Sequence, residues 1–189
     1  AAFDRDDPAQ AALARLLTPA AKYWICKRAP ILAAEALEVL GGNGYVEESL
    51  MPRLYRDAPL NSIWEGSGNV MALDVLRALA REPAALAALE TELAAAQGHD
   101  GRLDLYVGET LQALRADRSE IGARRICERI SLALQGALLV RYAPACVADG
   151  FCASRLTRPS GRTFGMLPNG VDVAAIIARA TPELSALPA

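Results

Sequence analysis

Glu65 stands between Trp64 and Gly66 in the run Ile63-Trp64-Glu65-Gly66-Ser67-Gly68-Asn69. A carboxylate walled by apolar groups holds its proton to higher pH and can act as a proton acceptor near neutrality. The glycine beside it leaves room for a substrate. The same residue in the first turn of a helix has a plainer use, as the negative charge a helix N-terminus favours. The spacing is compatible with both. Upstream, Gly41-Gly42-Asn43-Gly44 closes an apolar segment. A glycine cluster at a helix end can turn backbone N–H groups toward an anion such as a phosphate. It can also be no more than a tight connection between helices.

A third feature is electrostatic. Residues 115–162 carry nine arginines against four acids, a local charge of +5 in a chain of net charge −2. On one helix Arg118, Arg125 and Arg129 fall at i, i+7 and i+11, with Arg141 three turns beyond Arg129 in roughly the same direction. Arg155, Arg158 and Arg162 follow, the last two on a Gly/Pro-rich loop. A one-sided arginine face suits a phosphate backbone; the alternative is a solvated face paired with Glu120, Glu128 and the acids of residues 90–109. A metal site is not expected. The single histidine, His99, stands alone, and Cys26, Cys127, Cys146 and Cys152 form no C-x-x-C pair. Four buried, reduced thiols of a cytoplasmic protein are the expectation.

The elements that position these groups read as helices throughout. Apolar residues make up 52% of the chain, mostly Ala and Leu, and aromatics only 5%, which favours helices around a sizeable core. No β alternation of useful length and no internal repeat occurs, so the fold class is all-α. A helix is predicted over 18–40, capped by Thr18 with Pro19 in its first turn and kinked at Pro30. Residues 47–55 suggest one or two short helices broken at Pro52. Ser67 is a plausible cap for a helix over 67–81, ended by Glu82-Pro83. Helices follow at 83–97 and 103–116. Asp117 and Glu120 stand at capping-box spacing before a long helix reaching Tyr142. Shorter helices are expected at 145–156 and 172–180, around a loop at 157–169. No apolar run is long enough to span a membrane. The chain opens Ala-Ala-Phe-Asp, without Met, and reads as a piece of a longer protein.

The run 34–45, through Glu38-Val39-Leu40-Gly41-Gly42-Asn43-Gly44-Tyr45, resembles the C-terminal helical domain of acyl-CoA dehydrogenases. The likeness continues through Pro52-Arg53-Leu54-Tyr55-Arg56-Asp57 and closes with Ile63-Trp64-Glu65-Gly66-Ser67-Gly68-Asn69. Leu16-Leu17-Thr18-Pro19, the stretch 142–156 and Thr163-Phe164-Gly165-Met166-Leu167-Pro168 are similar to the AidB-type, adaptive-response branch, which carries an added helical domain. The resemblance implies a C-terminal half-bundle over 1–82 and a further helical domain over 83–189. It implies an FAD-dependent α,β-dehydrogenation of an acyl-CoA in which Glu65 takes the α-proton. Gly41, Gly42 and Gly44 match the turn that approaches the FAD pyrophosphate, commonly on a neighbouring subunit, and Ser67 and Asn69 match polar positions on the cofactor. Many members have Gln at position 69 and Thr at 67, so reach changes at 69. The N-terminal helical and middle β domains of the family lie outside these 189 residues, and the piece alone is expected to hold no FAD and to be inactive. The branch also implies a DNA alkylation response, sequence-independent binding of double-stranded DNA through the arginine segment, and a homotetramer.

Overall fold

The computed structural model describes residues 7–116, 118–157, 164–165 and 167–182. Among them there are nine α-helices and no strand, as the Ala/Leu composition requires. The helices are α1 (Pro8–Val39), α2 (Gly42–Tyr45), α3 (Met51–Asp57), α4 (Gly68–Arg81), α5 (Pro83–Ala94), α6 (Gly101–Ala116), α7 (Ala123–Tyr142), α8 (Ala145–Phe151) and α9 (Val173–Ala180). Two 3₁₀ turns, Ala58–Ser62 and Glu120–Gly122, and a π-helical turn, Cys152–Leu156, complete the order.

The first helix is capped eleven residues before the expected Thr18, by Asp7. Asp7 accepts from the backbone N–H groups of Ala9 and Gln10 at 2.9 and 3.2 Å, and Pro8 occupies the first turn, where its missing N–H costs nothing. The helix then runs through both Pro19 and Pro30 to Val39. Thr18 is interior and its hydroxyl donates to the Ala14 carbonyl at 2.7 Å instead of capping. Pro52 likewise starts α3 rather than breaking it. Asp172 caps α9, accepting from Ala175 N–H at 2.9 Å.

The core is continuous across position 82. Leu16 and Ala20 of α1 meet Ala72, Val75 and Leu79 of α4, Leu89 and Leu93 of α5, and Ile126, Ile130 and Ala133 of α7. Buried positions on α7 recur at helical spacing, which makes it the central helix of this core. Small residues let the helices approach: a Cβ on Gly136 would stand 2.7 Å from a Leu103 methyl. Arg15 of α1 forks onto Asp74 of α4 at 2.8 and 2.9 Å. Asp100 caps α6 through the Arg102 and Leu103 N–H groups and holds the Arg102 guanidinium, which also reaches Asp149 at 2.7 Å. All four cysteines are free. Cys127 and Cys152 are buried and burial pushes their thiols up, to about 12 and about 11; Cys26 and Cys146 are half-buried.

Candidate active-site turn and glycine corner

Two corners of the chain stand along α1, one at its C-terminal end and one beside Lys22 near its middle. The first is made by its own termination. After Leu40, Gly41 takes φ +57°, a conformation that glycine adopts freely. This swings the chain back so that Gly44 lies against the last turn of α1. A Cβ on Gly44 would overlap the Leu37 carbonyl oxygen and stand 2.9 Å from Leu40 Cβ, so only glycine fits. Gly41 and Gly42 are the opposite case: a Cβ at either meets nothing within 4 Å. The outer side of the corner is therefore open to a close-lying group.

The second corner holds Glu65. It lies in the turn between the 3₁₀ segment and α4, two residues before the N-cap Ser67, and so outside the first turn of that helix. Its φ is +53°, and it is the one non-glycine residue with positive φ among the described residues. A left-handed conformation costs a residue with a Cβ about 1 kcal/mol or more. Lys22, on α1, holds the turn from below: its Nζ donates to the carbonyl oxygens of Trp64 and Gly66, each at 2.6 Å. The peptide unit entering Glu65 and the one leaving Gly66 are thus fixed to the helix.

The apolar walls expected around Glu65 are not supplied by the described residues. Glu65 is exposed, and Trp64 keeps 57% of its surface in solvent. The exposure is shared by a large apolar set around both corners. Val39 is 77% and Tyr45 75% exposed, with Leu40, Leu50, Leu54, Leu60 and Ile63 also outside. So many exposed large apolar side chains on one stretch of sequence are what a covered surface leaves bare when its partner is away. Ser67 terminates the turn by backbone geometry alone, and its hydroxyl makes no hydrogen bond among the described residues. Asn69 is engaged: its Oδ1 accepts from Arg124 Nε of α7 at 2.8 Å.

Residues 1–80 match the family described as acyl-CoA dehydrogenase, C-terminal domain. Those residues are a C-terminal domain of the acyl-CoA dehydrogenase family. The chain is 46% identical over 161 residues to the putative acyl-CoA dehydrogenase AidB of Escherichia coli K12, an alignment covering 85% of this chain and 30% of that protein. Acyl-CoA dehydrogenase family member 11 of Caenorhabditis elegans is 46% identical over 68 residues, covering 36% of this chain and 11% of the relative. The crystal structure of C. elegans ACDH-11 in complex with C11-CoA superposes with a TM-score of 0.65 at 28% identity, covering 81% of this chain and 31% of that one. The chain spans about a third or less of the length of these relatives. Both corners fall inside the segment that matches the acyl-CoA dehydrogenase domain.

The arginine segment is arranged differently from the single helical face expected. The 3₁₀ turn at Glu120–Gly122 separates Arg118 from α7, so Arg118 shares no helix with Arg125 and Arg129. Arg118 instead ties α6 to α4, donating to the carbonyls of Leu114 and Leu79 at 2.7 and 3.0 Å. Arg141 donates to Glu92 at 2.6 Å and lies over the Tyr142 ring. Arg115 donates to Glu90 at 2.6 Å. Arg129 is four-fifths buried, with Glu109 at 3.8 Å and the Tyr106 ring at 5.7 Å. Arg125 is exposed, and Arg155 lines a groove described below. Arg158, Arg162 and Asp117 lie outside the described residues. No group of three or more His, Cys, Asp or Glu side chains able to hold a metal occurs among the described residues. No helix of the described chain is long and apolar enough to cross a membrane.

Proposed function

We propose that this chain carries the proton-abstracting arm of an FAD-dependent acyl-CoA dehydrogenase, with Glu65 as the base that removes the α-proton of an acyl-CoA. The observation that carries the reading is the backbone of Glu65. A non-glycine residue held at φ +53° by two lysine hydrogen bonds, at an exposed position where the core gains nothing from it, is strain retained for placement of a side chain. The glycine corner supports the same reading. FAD, when bound, supplies the acceptor for the β-hydride. Gly41 and Gly42 offer open backbone for the close approach of its pyrophosphate, with Gly44 holding the corner in place, and the Ser67 hydroxyl is available to it. Asn69 contributes with its amide nitrogen while its oxygen stays on Arg124.

Residues 1–82 then act as the catalytic half-bundle and 83–189 as a helical unit packed behind it. The exposed apolar face around Val39, Tyr45 and Trp64 is where the remaining domains, and further copies in a homotetramer, close the site and supply the apolar walls that Glu65 lacks here. The 189-residue chain alone is accordingly without FAD and without acyl-CoA oxidation. Sequence-independent binding of double-stranded DNA in an alkylation response is the other reading of the arginine segment. The internal partners of Arg115, Arg118 and Arg141 weigh against it, since a paired guanidinium has little to offer a phosphate. The test is the visible spectrum of the purified chain beside that of the full-length protein. Flavin absorbance is expected in the full-length protein only, and stoichiometric flavin on the chain overturns the division of labour.

A further inference from the structure

On the far side of α1 from the Glu65 turn lies a groove of about 880 Å³, between α1, α6, α7 and the π-helical turn Cys152–Leu156. The volume is that of a small-molecule site. Its walls are mixed. Trp24, Tyr106, Leu132 and Phe151 supply apolar surface, while four arginines, Arg28, Arg102, Arg129 and Arg155, reach into it. Two of the four are accounted for. Arg102 is bonded to Asp100 and Asp149, and Arg129 has Glu109 at 3.8 Å. Even so, Arg129 Nη1 is buried without a hydrogen-bond partner, since that carboxylate stands beyond hydrogen-bond reach.

Arg28 and Arg155 are different. Neither makes an ion pair or side-chain hydrogen bond among the described residues; Arg28 lies over the Trp24 ring at 5.6 Å. Burial and the nearby Arg28 charge both lower the affinity of Arg155 for its proton. Two guanidiniums therefore face one space without a carboxylate bonded to either, although Glu109 and Glu128 line the same groove. Arg155 is brought there by a π-helical turn, an insertion in helix geometry that is uncommon and concentrated at functional sites.

We propose that this groove binds a phosphate monoester carried on an apolar or aromatic group, with the phosphate between Arg28 and Arg155 and the group against Trp24, Tyr106 and Phe151. A phosphate dianion neutralises both guanidiniums and presents enough acceptors to meet two forks, where a carboxylate meets one. The aromatic walls fix which part of the ligand faces inward. The proposal is independent of the role of Glu65.

The test follows the Trp24 indole N–H in an NMR titration of the chain, assigned with Trp64→Phe, using phenyl phosphate, benzoate and inorganic phosphate. Phenyl phosphate is expected to shift the signal and to bind at least about tenfold more tightly than benzoate or inorganic phosphate. Arg28→Gln and Arg155→Gln are each expected to weaken it by about tenfold or more, the loss of a charge-assisted contact, and Arg155→Lys to keep part of the affinity. Because the two charges repel, both glutamine variants should melt at or above the parent temperature without ligand. Equal affinity for benzoate, or undiminished binding in Arg28→Gln, overturns the proposal. So does a short duplex DNA that moves the Trp24 signal where phenyl phosphate does not. Should a variant fail to fold, the melting temperature of the parent decides: a rise with phenyl phosphate and none with benzoate supports the site, and no rise with either refutes it.

Discussion

Lys22→Met removes the side chain whose hydrogen bonds tie the Glu65 turn to α1. The methionine keeps the length and the apolar stem, so what is lost is the pair of bonds from Nζ to the Trp64 and Gly66 carbonyls, both at 2.6 Å. Charge-assisted hydrogen bonds contribute roughly 1.5–3 kcal/mol each when sheltered. The Trp64 bond is exposed and the Gly66 bond half-buried, so the pair together is expected to be worth about 2 kcal/mol. The left-handed strain at Glu65 is then no longer held and the turn relaxes. Two assays separate the effects. Urea unfolding should show a loss of about 2 kcal/mol, or a melting temperature lower by about 4–8 °C for a domain of this size. Hydrogen exchange should show faster amide exchange over residues 63–67 with α7 unchanged. Gln10→Met, at an exposed position near the start of the same helix, is the control and should leave residues 63–67 as protected as before. Unaltered exchange in the turn of Lys22→Met would refute the reasoning, because the strain at Glu65 would then be held by something else.

Three further outcomes follow from the same structure. Glu65→Gly removes the left-handed strain and should stabilise the chain by roughly 0.5–1 kcal/mol in urea, after the entropy cost of glycine; destabilisation would show that the Glu65 side chain supports the fold. Gly44→Ala drives a methyl into the Leu37 carbonyl and should cost about 1–3 kcal/mol, while Gly42→Ala, facing open space, should leave the melting temperature within a degree or two. Asp100, held below the usual carboxylate range by its hydrogen bond from Arg102, stabilises the fold above the pKa of the unfolded chain and loses that contribution as pH falls through its lower folded value. Asp100→Ala, which also removes the α6 cap, should therefore cost about 1–2 kcal/mol at pH 7 and progressively less as the pH is taken down through the acid range, read from urea midpoints.

The all-α class was legible because Ala- and Leu-rich segments with period near 3.6 have few other ways to bury themselves. Several ends were not. Thr18-Pro19 and Asp7-Pro8 are the same chemical signal, a capping side chain before a proline, and local pattern does not say which one starts the helix; tertiary packing of Leu13 and Leu16 against α4 and α5 decides for the earlier. The arginine face depended on one helix running unbroken into Tyr142. The 3₁₀ turn at Glu120–Gly122 ends that phase relation, and the guanidinium of Arg118 reached the Leu79 carbonyl, 39 residues away, which no local spacing could pair with it. At the candidate site, the sequence singled out Glu65 and the glycines by type. Lys22 was missed, because a lysine 42 residues away that donates to two carbonyls leaves no pattern. The groove around Arg28 and Arg155 was missed for the same reason: it is assembled from four separate elements.

The most direct test of the role of Glu65 is anaerobic reduction of the flavin in the full-length protein by a panel of acyl-CoA chain lengths, comparing the parent with Glu65→Gln at equal FAD content. Loss of a positioned base should slow bleaching of the flavin by about 10²–10⁴-fold while leaving cofactor binding unchanged. Bleaching of Glu65→Gln at the parental rate, with an acyl-CoA that the parent oxidises, would contradict the account.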